Sequence, residues 1–169
     1  MGDAGVLTED DRVELLDGQV VEMGPIGAPH ASTVARLNAF FVRRFGAHAT
    51  IWVQNPIVLD RWSEPRPDLC LLAPRPDFYA ARHPHPRDVL LGVEVMGTSR
   101  GYDRALKLPL YAKAELREVW LVDLKAATVE VYRRPALRGY RARSACARGQ
   151  AIAPVAFPRM RVRVKDILG

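Results

Sequence analysis

VLLGVEVMGTSRGYDRALK, residues 89–107, decides how the rest of the chain reads. Its first eight residues, Val89 to Met96, are an apolar run of the kind a buried strand carries. Glu94 interrupts that run. A lone carboxylate in an apolar interior is costly, so Glu94 calls for a partner. Asp103 and Lys107 follow four residues apart, a spacing that brings two side chains together on a helix. Lysine is scarce, with four lysines against 21 arginines, so Lys107 stands out.

On the C-terminal side, Thr98 or Ser99 is a cap for a helix from about Gly101 to Ala114, with Leu106 and Leu110 inward. Pro109 inside that helix predicts a kink. EVWLVDL (118–124) is another apolar strand. TVEVYRRP, YRARSACA and RMRVRVKDI read as further antiparallel strands with arginines alternating outward. On the N-terminal side, PDLCLLAP (67–74) and TIWVQNPIVL (50–59) are strand-like. HASTVARLNAFFVRRFG places Val34, Leu37, Phe41 and Phe45 on one helix face, with Gly46 as the stop. RVELLDGQVVEM (12–23) is a hairpin turning at Asp17-Gly18. The order is hairpin, helix, three strands, helix, strands. It predicts an α/β (α+β) domain on one mixed central sheet, occupying residues 1–169 as a single unit.

The chain has 169 residues, 49% of them hydrophobic, which excludes general disorder. No run approaches the roughly 18 apolar residues of a membrane helix, and no secretion signal opens the chain. Two cysteines, Cys70 and Cys146, form no CxxC pair; they point to a reducing compartment, the cytoplasm. The net charge is +6. From Ala126 onward nine Arg and one Lys face only Glu130 and Asp166, an excess of eight positive charges. Such a basic third suits a polyanionic partner, nucleic acid above all, although arginines decorating exposed strand faces give the same count.

Asp68 and Glu94 carry the chemistry. Two carboxylates near adjacent strands of one sheet repel unless one protonates or a cation intervenes. A hard divalent cation such as Mg²⁺ prefers oxygen ligands, and the backbone carbonyl of Val95 is available as a third. A lysine brought to the same place stabilises charge developing on a phosphorus centre. Glu14, in the first hairpin strand, is a fourth ionisable residue in an apolar setting.

Pro67-Asp68, then Glu94-Val95, then Asp103, Lys107 and Tyr111 in D-x3-K-x3-Y, then EVWLVD, together resemble the Uma-two restriction endonuclease family of the PD-(D/E)XK nuclease superfamily. VELLDGQV and His30 resemble that family's N-terminal hairpin and the histidine opening its first helix. The likeness runs from about Arg12 to Tyr132. It implies a restriction-endonuclease-like core, a Mg²⁺ or Mn²⁺ site and cleavage of DNA. By the same resemblance Asp68, Glu94 and the Val95 carbonyl are metal ligands and Lys107 is the catalytic lysine. Glu14 supports them, and His30 is a further site residue. It also implies a homodimer able to cut both strands, which sedimentation at micromolar concentration tests. The superfamily's lysine two residues after the glutamate is absent, since Val95-Met96 stand there. Lys107 is its substitute on the next helix, reached by a long flexible stem. Val13 replaces an aromatic, and Ala114-Glu115-Leu116 replaces a glycine helix end; both concern packing.

Other readings of the same residues stay open. Glu94 fits an edge strand facing water or a structural ion pair with Lys107. Lys107 fits a solvated helix lysine paired with Asp103. His30 fits a capping or surface histidine, Glu14 a strand residue and Asp68 a strand start. Asp123, which ends an apolar strand, reads as a turn former and Tyr111 as structural. His83 and His85 lack a third zinc partner. The three tryptophans read as core or interface residues. Two further functions follow: a nucleic-acid-binding module that keeps the fold without turnover, and a small-molecule hydrolase using one carboxylate as base.

Overall fold

The computed structural model describes residues 12–97 and 103–169. The expected cap at Thr98 or Ser99 and the helix start at Gly101 lie outside the described residues, as does the side chain of Asp103. Strands β1 (Val13–Leu16) and β2 (Gln19–Glu22) pair antiparallel, Leu16 opposite Gln19. Asp17 and Gly18 between them have φ of 49° and 83°. Two positive values in succession are what a type I′ turn needs, and Asp-Gly supplies them at low steric cost. Helix α1 (Ala28–Phe45) starts with Pro29 in its first turn, where a missing N–H is harmless. Thr33, Val34, Leu37, Phe41 and Phe45 form its buried stripe.

Six strands make the main sheet: β3 (Thr50–Val53), β4 (Leu69–Leu72), β5 (Val89–Met96), β6 (Glu118–Asp123), β7 (Thr128–Ala136) and β8 (Gly139–Ala147), in that spatial order. Among the described strands, only β5 and β6 run parallel. Their crossover passes through a π-helical turn, Asp103–Lys107, that leads directly into α2 (Leu108–Lys113). The short pair β9 (Ala151–Ile152) and β10 (Val162–Arg163) follows, then α3 (Val164–Leu168).

Alternation along β5 sorts its side chains. Val93 and Val95 join the layer under α1 and α3, with Leu37, Phe41, Phe45 and Trp120. Met96 joins the opposite layer, with Cys70, Leu108, Tyr111 and Leu121. Both faces are covered, which is why the run is almost wholly apolar. Phe41 meets Trp120 edge-on at 6.3 Å and Phe45 at 5.2 Å, a geometry worth about 0.5–1.5 kcal/mol per pair beyond burial alone. Trp120 is thus a core residue.

Several expectations need correction. The strand expected over Thr50–Leu59 stops at Val53, because Gln54 takes φ of 51° and the chain then folds back through a bridge between Asp60 and Ser63. The strand expected over Arg159–Ile167 is two residues long. Val164 and Ile167 are both buried at a spacing of three, which is helical, and the chain coils there. Leu106 does not face inward but is 46% exposed, since the wider i→i+5 winding of the π turn shifts the phase that 3.6-residue spacing assumes. Pro109 does not kink a helix interior; it sits in the first turn of α2.

Candidate active site

The C-terminal ends of the parallel pair, the N-terminus of α1 and the first hairpin enclose a cavity of about 520 Å³. Glu14, His30, Asp68, Glu94, Val95 and Lys107 all line it. The six sequence-nominated residues come from five separate elements and meet at one place.

Glu94 points away from Val95 by strand alternation, toward α2, and is 2% exposed. Its Oε1 accepts a 2.6 Å hydrogen bond from the Tyr111 hydroxyl and lies 3.3 Å from Lys107 Nζ. Lys107 Nζ lies 2.8 Å from Glu14 Oε1, and that same oxygen accepts the Arg66 backbone N–H at 2.6 Å. Lys107 is 4% exposed and Glu14 is 3% exposed. The solvated-lysine reading therefore fails: the π turn aims Lys107 into the protein, between two carboxylates. A buried cation bridging two buried anions answers the desolvation cost that each would otherwise carry.

Asp68 directly precedes β4, one step beyond the Leu69–Val93 pair, which brings it beside the end of β5. Its Oδ2 accepts the Val95 N–H at 2.8 Å and lies 3.0 Å from His30 Nε2. Its Oδ1 accepts from Gln54 Nε2 at 3.3 Å. His30 is thus turned inward from the first turns of α1 and does not cap it. His83 and His85 lie elsewhere, beside Glu64 and Asp88 respectively.

Sequence reasoning undervalued two neighbours. Tyr111 was expected to be structural, yet its hydroxyl touches the Glu94 carboxylate. Its place four residues after Lys107 was the available signal. Burial first, and then the Glu94 charge, push the Tyr111 hydroxyl well above its ordinary value, so it stays a donor. Tyr111→Phe removes that donor from a buried carboxylate and is expected to cost about 1–3 kcal/mol, read by urea denaturation. Gln54 gave no signal, because its role depends on a left-handed backbone that no local pattern announces. Cys70 belongs to the core layer on the Glu94 side of the sheet. Burial and then the Glu94 charge push its thiol well up, so it remains an uncharged packing group.

Two more buried carboxylates show that burial alone does not mark a site. Glu118 accepts from Trp120 Nε1, from Arg133 and from the Val155 N–H. Glu130 is held by Arg104, Arg143 and the Tyr132 hydroxyl. Both are neutralised by arginine, and neither lines the cavity. Asp123, also buried, accepts the Ala126 N–H in a turn, as expected. These pairs, with Arg163–Asp166, also absorb part of the basic charge of the C-terminal third. The cations that line the cavity are Arg12, Arg66, Lys107 and Lys125, all outside that third.

The fold is a mixed sheet with one parallel pair, and at the end of that pair lies a cavity lined by both carboxylates and cations. The crystal structure of a putative nuclease belonging to DUF820 from Anabaena variabilis ATCC 29413 superposes with a TM-score of 0.76 at 13% identity. The match covers 98% of this chain and 94% of that one. The chain belongs to the Uma2 family, described as "Putative restriction endonuclease", whose model matches residues 5–165. No curated protein matches it. No described helix is long and apolar enough to cross a membrane.

Proposed function

We propose that the chain is a metal-dependent endonuclease that hydrolyses DNA phosphodiester bonds in this cavity. One observation carries the reading: Lys107, buried between Glu14 and Glu94, shares a cavity with Asp68 at the start of the neighbouring strand. Asp68, Glu94 and the Val95 carbonyl form an all-oxygen donor set, which suits Mg²⁺ or Mn²⁺. Among the described residues no group of three or more His, Cys, Asp or Glu is arranged to hold a metal. Mg²⁺ is commonly held by one or two carboxylates and completes its shell with water and substrate phosphate. When bound, the cation supplies a lowered water pKa and neutralises charge on the phosphate oxygens.

The chain's own residues do the rest. Lys107 holds a positive charge where negative charge develops on the attacked phosphate. Glu14 positions Lys107 and is itself fixed by the Arg66 N–H. Tyr111 fixes the orientation of Glu94. His30, Gln54 and the Val95 N–H fix that of Asp68, so the donors are set before substrate arrives.

The test incubates supercoiled plasmid and a labelled single-stranded oligonucleotide with Mg²⁺ and with Mn²⁺. Wild type is expected to cut, and Asp68→Ala and Lys107→Ala are expected not to. A wild type that binds both substrates and cuts neither in either metal would overturn the catalytic reading and leave a binding module of the same fold.

A further inference from the structure

The cavity changes character with depth. At its mouth stand Arg12 and Lys125, both exposed, and Arg66, half-buried. Along its wall lie Met23, Ile26 and Leu124. Ile26 is 41% exposed, a large hydrophobic held out on the Gly24–Gly27 loop. At the bottom are the nearly inaccessible Glu14, Glu94 and Lys107. The exposed lining thus offers cations and an apolar side chain, and the buried lining holds two carboxylates with Lys107 between them.

A volume of about 520 Å³ lies within the ~300–1,000 Å³ typical of pockets that enclose a small ligand. It suits one nucleotide and is far too small for a helix. A duplex presents its phosphates on a stiff cylinder. Bringing one of them to a recessed floor requires a nucleotide to leave the stack, at a few kcal/mol. An unpaired strand incurs no such cost. An unstacked base can lie between apolar side chains, and the backbone of a single strand follows cations.

We propose that the cavity selects unpaired DNA: one nucleotide of a single strand enters against Met23, Ile26 and Leu124, while Arg12, Arg66 and Lys125 grip the flanking phosphates. The proposal rests on the nuclease reading only for the position of the phosphate that is cut. Selection of the strand is a binding property and is measured without cleavage.

Fluorescence anisotropy in EDTA compares a labelled deoxythymidine strand of about 20 nucleotides with a duplex of equal length, several times the smallest single-strand site sizes. The single strand is expected to bind at least ~10-fold more tightly. The double variant Arg12→Ala/Lys125→Ala is expected to weaken it and to flatten the slope of log affinity against log salt by about 1.4, some 0.7 per lost phosphate contact. Ile26→Ser is expected to weaken it while leaving that slope unchanged. A duplex bound as tightly as the single strand, or a slope unmoved in the double variant, would overturn the proposal. Single-strand preference without any cleavage would sink the nuclease reading alone. Equal binding of duplex and single strand by a protein that cuts DNA would sink this proposal alone.

Discussion

Lys107→Ala is expected to abolish phosphodiester cleavage and also to lower the melting temperature by roughly 6–20 °C. The second effect follows from burial. Glu14 and Glu94 both direct a carboxylate oxygen at Lys107 Nζ, and all three groups are almost wholly enclosed. Removing the ammonium leaves two buried anions facing each other, and breaking a buried pair in this way costs about 3–5 kcal/mol. For a domain of this size each kcal/mol shifts the midpoint by roughly 2–4 °C. Lys107→Ala/Glu14→Gln separates the two effects, because it removes one of the stranded charges. The double variant is expected to recover much of the stability and none of the cleavage. Recovery of cleavage would show that Lys107 acts only as a structural counter-ion. Calorimetry and a nicking assay on the same preparations decide the point.

Asp68→Asn is expected to act in the opposite proportion, with a large loss of cation binding and a small loss of stability. Asparagine keeps the size of the side chain and an oxygen that can still accept the Val95 N–H. The fold is therefore expected to lose no more than about 1–3 kcal/mol. The loss for the cation is greater. Substituting residues that merely orient a metal ligand commonly costs about 10–100-fold in affinity, and Asp68 is proposed as a ligand itself. Titration calorimetry with Mn²⁺ is expected to show at least a ~100-fold weaker site, with cleavage lost in parallel. Unchanged Mn²⁺ affinity in a folded Asp68→Asn protein would remove Asp68 from the donor set.

Much of this arrangement was legible in the sequence, for identifiable reasons. Glu94 could be singled out because a strand buried on both faces tolerates few polar residues. Lys107 could be singled out because lysine is rare in this chain. The hairpin was legible because Asp-Gly is nearly specific to one turn. What stayed hidden depended on contacts distant in sequence or on unusual backbone. Glu118 and Glu130 are buried carboxylates like Glu94. Their arginine partners lie 15 residues away at Arg133 and 26 residues away at Arg104, and no local pattern links them. The exposure of Leu106 and the aim of Lys107 both follow from a π turn, whereas amphipathic spacing assumes an α-helix. Gln54 was missed because its contact with Asp68 depends on a positive φ that a glutamine rarely adopts.

Glu14 belongs to a hairpin that stands outside the six-stranded sheet. It is tied to the body through Arg66, 52 residues further on, and reaches Lys107 only after β3, β4 and β5 have intervened. The acidic site is therefore absent from any early stretch of the growing polypeptide. While Lys107 is still within the ribosome, Glu14 has no ammonium to meet, and Asp68 lacks the Val95 amide that orients it. Assembly of the site is governed by long-range loop closure and not by any local element.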